Sequence, residues 1–315
     1  MRWTGRIRHL FLMPAVVWVV VFTIFPTVYS LYSAFHTVTS ETVTTRSQEP
    51  MVDAAGKPQL RPDGTPRTRT VVNRETVNTW QFVGLDNFAR MGRDPVLLEA
   101  VRVTAIFVAA AVSAEMILGL FLAFVFNRSL PGRSLMRTIM ILPIFATPVA
   151  AGYLFFTIFY EEGGPLGWTN IPWLSDPSWA LVSVIIVDVW QWTPFCFLVL
   201  LAGLQGIPDE MLESARLDTN STWDLWRLVI LPMLQPVIII VLLLRIAEAL
   251  KVFDVVASLT VGGPGNATQS LSYLAFRTGL RFFDVGYASA IAWTLLAFVM
   301  VVVTLFFKRV RSVYA

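Results

Sequence analysis

Long apolar runs separated by polar segments make up most of the chain. Roughly 20 apolar residues in a helix span a bilayer, and each run is of about that length or longer. The pattern therefore predicts an all-α membrane protein with six transmembrane helices. The predicted spans are Leu10–Phe35, Val101–Phe126, Thr138–Tyr160, Trp179–Ala202, Val237–Leu259 and Val285–Phe307.

The first apolar run follows a basic leader, as the core of a secretory signal peptide does. It is much longer than the roughly 7–15 apolar residues of such a core, and no small-residue cleavage site follows it. We therefore interpret residues 1–36 as a leader and an uncleaved first transmembrane helix.

The main polar interruption of the pattern lies in residues 37–100, which are rich in Thr, Arg, Pro, Gly and Asp. Alternation of polar and apolar residues in Thr68–Val72 and Glu75–Phe82 predicts two short strands. We interpret the segment as a small, β-rich insertion on the extracytoplasmic (periplasmic) side. It separates the first helix from a core of five helices at residues 101–315.

Basic residues flank the short loops and predict the orientation of the spans, because cytoplasmic loops carry an excess of Lys and Arg. The rule places both termini and the polar loop at residues 205–235 in the cytoplasm. The residues that decide this are Arg128, Arg133 and Arg137 after the second span, with Lys308, Arg309 and Arg311 after the sixth.

Composition supports the membrane assignment and excludes several kinds of site. Of the 315 residues 56% are hydrophobic and only 14% are charged, and the basic residues form no cluster typical of nucleic-acid binding. One cysteine, Cys196, and two histidines indicate neither a disulfide framework nor a metal site. The phosphate-binding pattern G-x-x-x-x-G-K-[ST] is absent, so we expect no ATP site in this chain.

The polar loop contains an acidic helical hairpin at residues 208–236, with five acidic residues against two arginines. Pro208 suits a first helical position, and Ser221 with Asp224 resembles a capping box that opens a second short helix. A solvated connecting loop and a docking surface for another protein both fit this pattern.

Charged residues recur at intervals of three along the predicted fifth span: Arg245, Glu248, Lys251 and Asp254. Neighbours at this spacing can neutralise one another, and a ladder of this kind winds around its helix. Ionisable residues inside a span face protein or a water-filled path, so each is a functional candidate. The alternative is that these charged residues form ion pairs that only hold two subunits together. Glu115, in the second span, has no partner that the sequence indicates.

The fourth span places polar groups among aromatic rings on one broad face: Asp188, Gln191, Trp192 and Phe195. Aromatic rings beside a carboxylate and an amide suit a sugar, whose C–H faces stack while its hydroxyls form hydrogen bonds. The alternative is ordinary packing of aromatic rings around one Asp whose hydrogen bonds are made within the protein.

Residues 213–218, which read ESARLD, and 230–232, which read ILP, resemble the EAA loop of ATP-binding-cassette (ABC) importer permeases. The chain departs from that pattern at Thr219-Asn220, where the family usually has Gly-Ala. The segments 259–265 and 286–290 are similar to the carbohydrate branch of the same permeases.

The resemblance implies the core of a type I ABC importer permease of the maltose-transporter (MalF-like) kind. It implies a coupling helix that docks on the cytoplasmic ATPase through Glu213, Ser214, Ala215, Asp218 and Thr219. It also implies substrate contacts from the helices before and after this loop. Aligned through the loop, these fall on Asp188, Gln191, Trp192, Phe195, Arg245, Glu248, Ala249 and Val252.

The function so implied is the permease subunit of an ATP-driven sugar importer in the bacterial inner membrane. The expected partners are a second homologous permease, two ATPase subunits that hold ATP and magnesium, an extracytoplasmic sugar-binding protein and membrane lipid. An ion- or proton-coupled secondary transporter, with the charge ladder as its relay, is the alternative; it has no need for the acidic hairpin. A membrane enzyme is a third possibility, but the sequence shows no nucleophile–base pair and no set of metal ligands that would support it.

Overall fold

The computed structural model describes residues 12–51, 61, 67–128, 131–219 and 221–314. Within them, five helices are long and apolar enough to cross a membrane, and a sharply bent pair makes a sixth if it is counted as one span. The predicted all-α membrane fold is thereby confirmed. The helices are α1 (Leu12–Ala34), α2 (Asp86–Met91), α3 (Pro95–Phe126), α4 (Arg133–Ile141), α5 (Pro148–Phe159), α6 (Pro177–Gln205), α7 (Asp209–Asp218), α8 (Thr222–Ala249), α9 (Asp254–Leu259), α10 (Leu271–Phe276) and α11 (Val285–Tyr314).

Contacts divide the chain into two units, of which the first comprises residues 1–87 and 283–290. In this unit α1 leads into a two-stranded antiparallel sheet of β1 (His36–Pro50) and β2 (Thr68–Phe82). The register pairs His36 with Phe82 at one end and Pro50 with Thr68 at the other. The two predicted short strands are in fact one continuous strand, and its partner was not predicted. Most of β1 is Thr, Ser and charged residues without clear alternation, so cross-strand pairing rather than an apolar face defines it.

The start of the hairpin is anchored by a buried polar side chain. Asn87 Nδ2 donates hydrogen bonds to the backbone oxygens of Ala34 and His36, at 2.9 and 3.0 Å. Gly286 approaches the same His36 carbonyl so closely that a Cβ there has no room. Asn87 thus provides hydrogen-bond donors to two carbonyl groups at the junction between α1 and β1.

The second unit, residues 88–282 and 291–315, contains the helical core. Helices α3 and α6 lie against each other along much of their length, and a Cβ at Gly119 would lie only 2.7 Å from that of Cys196. Both helices begin earlier than predicted, because Asp94 and Asp176 cap them ahead of a proline and accept hydrogen bonds from backbone N–H groups at 2.9–3.3 Å.

The third predicted span is not one straight helix, which corrects the prediction for residues 138–160. Helix α4 ends at Ile141, a short 3₁₀ turn follows at Leu142–Phe145, and α5 begins at Pro148. The two helices are bent by 100°. Pro143 and Pro148 each remove a backbone donor, and the Thr147 hydroxyl caps α5 by accepting a hydrogen bond from Ala150 N at 3.3 Å.

The fifth predicted span also differs from the structure. Helix α8 runs from Thr222 to Ala249, and α9 follows as a separate short helix from Asp254 to Leu259. The predicted charge ladder on one helix is therefore wrong, because Lys251 and Asp254 lie beyond the end of α8. Helix α9 instead packs on α5, where a Cβ at Gly152 would overlap the side chain of Ser258.

Of the two helices predicted for the acidic hairpin, the first is confirmed and the second differs. Helix α7 forms as predicted, with Pro208 as its cap rather than its first residue. The second helix is not short, because it continues through a π-turn at Trp226–Ile230 into the rest of α8. Ser221 caps it, accepting a hydrogen bond from Asp224 N at 3.3 Å. Of the two residues that depart from the family pattern, Thr219 is extended and Asn220 lies outside the described residues.

Candidate functional site

A small cavity of about 90 Å³ opens in the second unit, where the C-terminal end of α8 meets α6 and the starts of α5 and α9. Six of the eight predicted substrate residues line it, and the segment after α8 supplies most of the rest. The lining consists of Pro148, Asp188, Trp192, Arg245, Glu248, Ala249, Lys251, Val252, Phe253, Asp254 and Val255. The remaining two predicted residues, Gln191 and Phe195, are not part of this wall.

A buried charged triad lies behind the cavity. Arg245 Nε donates to Glu115 Oε2 at 2.5 Å, and its Nη2 donates to Glu115 Oε1 at 2.8 Å and to Asp188 Oδ2 at 2.9 Å. The side chains of Arg245, Glu115 and Asp188 are 1%, 0% and 6% exposed. The three residues come from α8, α3 and α6, so the triad ties together three helices that are far apart in sequence.

The triad revises the sequence interpretation in two ways. Glu115, for which the sequence indicated no partner, forms a bidentate ion pair with Arg245. The described ion pairs of Arg245 run to α3 and α6 rather than to Glu248 on its own helix. The sequence held one usable signal, because an acid and a base buried in different spans each require a partner.

An aromatic wall adjoins the triad. The guanidinium carbon of Arg245 lies 4.6 Å from the centroid of a Trp192 ring, a distance typical of a cation–π contact. The ring of Phe195 lies edge-on to Trp192 at 6.3 Å between centroids, and Phe195 is partly buried against an apolar cluster that includes Cys196 and Phe197. Trp192 thus presents a ring to the cavity, whereas Phe195 supports it from behind.

Gln191 has a different environment from its neighbours on α6. Its Nε2 donates to the backbone oxygen of Ala146 at 2.7 Å, and the side chain is buried. Ala146 lies in the bend between α4 and α5, where regular helical hydrogen bonds are interrupted. Gln191 therefore stabilises the broken third span in this structure.

The cavity mouth carries a more exposed pair of charges. Lys251 Nζ lies 3.0 Å from Glu248 Oε1, and both side chains are about half exposed. This pair is the one contact of the predicted ladder that forms. Ala249 is buried and Val252 is partly buried, and both add apolar surface to the wall.

The predicted coupling residues lie together on one exposed element. Glu213, Ser214, Ala215 and Asp218 are on α7, and Thr219 follows it directly. None of the α7 side chains is buried, and Leu217 is 90% exposed.

Metal binding finds no support in the described part of the chain. No group of three or more His, Cys, Asp or Glu side chains comes together there in a way that could hold an ion. The two carboxylates of the triad face the guanidinium of Arg245 instead.

Residues 115–312 match the family described as binding-protein-dependent transport system inner membrane component. The chain belongs to this family. The match begins at Glu115 and so contains the whole triad, the cavity wall and the coupling residues, while the β-hairpin lies outside it.

Several curated relatives of this permease are sugar transport proteins by name. It is 39% identical over 228 residues to the trehalose/maltose transport system permease protein MalF of Thermococcus litoralis, covering 70% of this chain and 76% of that protein. It is 36% identical over 240 residues to the trehalose transport system permease protein SugA of Mycobacterium tuberculosis, covering 75% and 77%. Identity to the lactose transport system permease protein LacF of Rhizobium radiobacter is 32% over 245 residues, covering 74% and 82%.

Solved structures confirm the fold. A chain of the bacterial alginate ABC transporter, solved in complex with an alginate pentasaccharide-bound periplasmic protein, superposes with a TM-score of 0.75 at 19% identity and covers 99% of this chain and 98% of that one. The MetNI methionine ABC transporter superposes over 69% of this permease and 96% of its own chain, with a TM-score of 0.53 at 16% identity. The permease is therefore a multi-pass membrane protein with an ABC importer fold.

Proposed function

We propose that this permease is one of two homologous membrane subunits of an ATP-driven importer that carries a sugar across the bacterial inner membrane. The observation that carries the proposal is the family match, together with relatives at 32–39% identity whose names specify trehalose, maltose and lactose transport. The cavity supports it, because it combines an aromatic ring with charged hydrogen-bonding groups, which suits a sugar.

The sugar would bind at the cavity formed by Asp188, Trp192, Arg245, Glu248 and the apolar residues Ala249 and Val252. At about 90 Å³ the cavity is much smaller than the roughly 300–1,000 Å³ of ordinary ligand pockets. We infer that the second permease provides the facing wall and that the cavity widens when the subunits move. Gln191 and Phe195 would act behind this wall, since neither lines it in the structure.

Coupling to ATP would pass through α7. Its exposed surface, with Glu213, Ser214, Ala215 and Asp218 and the following Thr219, would dock on one of two ATPase subunits that hold ATP and magnesium. In this arrangement both termini and α7 are cytoplasmic, by the positive-inside rule. The segment 37–100 with its β-hairpin is extracytoplasmic, on the side where a sugar-binding protein delivers the substrate. Closure of the ATPases would then move α7 as a lever and rock the spans.

Reconstitution tests the proposal directly. The permease, its second permease, its ATPases and its binding protein are placed in liposomes, and the uptake of labelled trehalose, maltose and lactose is measured with and without ATP. We expect uptake only with ATP and all subunits. Sugar uptake by this chain alone, driven by a proton or sodium gradient, would show that it is a secondary transporter instead.

A further inference from the structure

The charges around the cavity bear on the kind of sugar that the permease accepts. Building on the proposed function, we infer that the substrate is a neutral sugar, with no carboxylate, sulfonate or phosphate where it meets this permease. A buried arginine beside a sugar site would ordinarily indicate an anionic ligand. The contacts of Arg245 lead to the opposite conclusion.

The charge of Arg245 is already balanced within the protein. A guanidinium remains charged in a protein, and Nε and Nη2 of Arg245 are both bound to Glu115, with Nη2 also bound to Asp188. One carboxylate is enough to balance this charge, so the guanidinium needs no anionic ligand. Since all three side chains are buried, water screens these charges only weakly.

The rest of the wall adds no free positive charge. Lys251 is the other basic residue of the lining, and it lies 3.0 Å from Glu248. Asp254, at the start of α9, adds another acid to the same wall. Among the lining residues, acids therefore outnumber bases even before Glu115 is included. An anionic sugar placed here would meet like charge, which costs several kcal/mol in a desolvated site.

The groups that remain suit a neutral sugar. The Trp192 ring offers a face for C–H groups, and the half-exposed Glu248 and Lys251 can accept from and donate to hydroxyls. Nη1 of Arg245 is buried and has no hydrogen-bond partner among the described residues. It can donate to a hydroxyl or ring oxygen without needing a charged acceptor.

Glu115 is a positioning residue in this scheme. It does not line the cavity, yet its two hydrogen bonds hold Arg245 beside Asp188 and Trp192. Removing its carboxylate leaves Asp188 as the only described ion-pair partner of Arg245, so the guanidinium is less fully paired and accepts an anionic sugar more readily. The selectivity for charge should therefore depend on a residue that never touches the sugar.

The test compares matched substrates in the complete importer. Uptake of glucosyl-glucose disaccharides is measured against their glucuronosyl-glucose counterparts, which differ by one carboxylate at C6. We expect the neutral sugars to enter about tenfold faster or more. Equal or faster uptake of the uronates overturns the inference and leaves the sugar importer intact. Uptake of no sugar overturns the proposed function, and the inference with it.

The variant Glu115→Gln tests whether the pairing of Arg245 causes the preference for neutral sugars. We expect the uronate-to-neutral uptake ratio to rise severalfold, while Glu99→Gln, the same change at a partly exposed position of α3, leaves the ratio unchanged. The ratio is taken within one vesicle preparation, so lower yield of a variant cancels. An unchanged ratio in Glu115→Gln rules out the charge-balance explanation.

If Glu115→Gln does not accumulate, Glu248→Gln replaces it. That residue is half exposed at the mouth, and its loss removes a negative charge without disturbing the triad. The ratio must then rise in the same direction. A fall or no change contradicts the inference.

Discussion

The cavity wall and helix α7, the proposed coupling helix, are built on opposite principles. The cavity wall is held by the triad of Glu115, Asp188 and Arg245, which are far apart in sequence and buried. Helix α7 is ten residues long, has no buried side chain and forms from local signals. We therefore expect mutations in the buried site to act through stability, and mutations on the exposed helix to act through association.

The largest effect is expected at Arg245. Arg245→Met leaves two buried carboxylates without their guanidinium, which costs about 3–5 kcal/mol of free energy of unfolding. We expect poor accumulation and an unfolding transition at clearly lower denaturant concentration in detergent micelles. The triple variant Glu115→Leu/Asp188→Leu/Arg245→Met should regain stability but not uptake. A single variant as stable as the parent would show that the triad is not the anchor of this region.

Glu213→Lys should weaken association with the ATPase without changing the stability of the permease. The residue is exposed on α7, so we expect normal insertion and an unchanged unfolding transition. In the proposed arrangement Glu213 faces a basic groove of the ATPase, so like charge at this position should weaken co-purification and uptake by about tenfold or more. Glu99→Lys, at a partly exposed position of α3, serves as the control. Parental uptake and normal co-purification in Glu213→Lys would refute the coupling assignment.

Gly152→Ala tests the close packing that positions the cavity wall. The new methyl group would overlap Ser258 and push α9 from α5, which we expect to cost about 1–3 kcal/mol in the free energy of unfolding. Ser258→Gly in the same chain should restore most of the loss. Gly92→Ala is the matched control, because the nearest atom to its new Cβ lies at 3.7 Å. Equal stability of Gly152→Ala and Gly92→Ala would argue against this packing.

Ser221→Ala tests the local character of the hairpin. Loss of the cap on α8 should cost about 1 kcal/mol and should leave substrate uptake per folded permease nearly unchanged. Ser221→Asp, which restores a capping oxygen, provides the control. A loss of several kcal/mol, measured by the same unfolding experiment, would mean that the hairpin is not locally determined.

The smallest effect concerns Glu161, in the segment between α5 and α6. Hydrogen bonds from Leu174 N, and from the N–H and hydroxyl of Ser175, hold the pKa of this carboxyl below its usual value. The ionised form therefore stabilises the folded state above the ordinary pKa of about 4.3. This contribution is lost as the pH falls through the lowered pKa. The difference in unfolding temperature between the parent and Glu161→Gln should shrink from pH 7 towards pH 3, and a constant difference would contradict this.

Local and compositional signals were enough for much of the architecture. Run length predicted the membrane spans, the acidic pattern after Pro208 predicted α7, and Ser221 with Asp224 predicted the start of the next helix. These features depend on burial in lipid and on hydrogen bonds between near neighbours in sequence, so a short window of sequence contains the information. The EAA-like segment pointed to the family for the same reason.

Such local signals could not predict the breaks in the third and fifth spans. Proline occurs inside continuous helices here, as Pro194 and Pro236 show, so Pro143 and Pro148 alone could not mark a 100° bend. The bend is stable because Gln191 donates to the freed carbonyl of Ala146, from 45 residues away. Whether a proline breaks a span is decided by what satisfies the backbone around it.

The sequence by itself determined which side chains need partners, because an ionisable group inside a membrane span is costly when alone. It could not determine the pairs. Arg245 had Glu248 three residues away, yet its two partners are Glu115 and Asp188, 130 and 57 residues distant. Only the packing of α3, α6 and α8 brings these groups within hydrogen-bond distance. A buried arginine takes the geometry that satisfies most of its donors, and that choice is made in three dimensions.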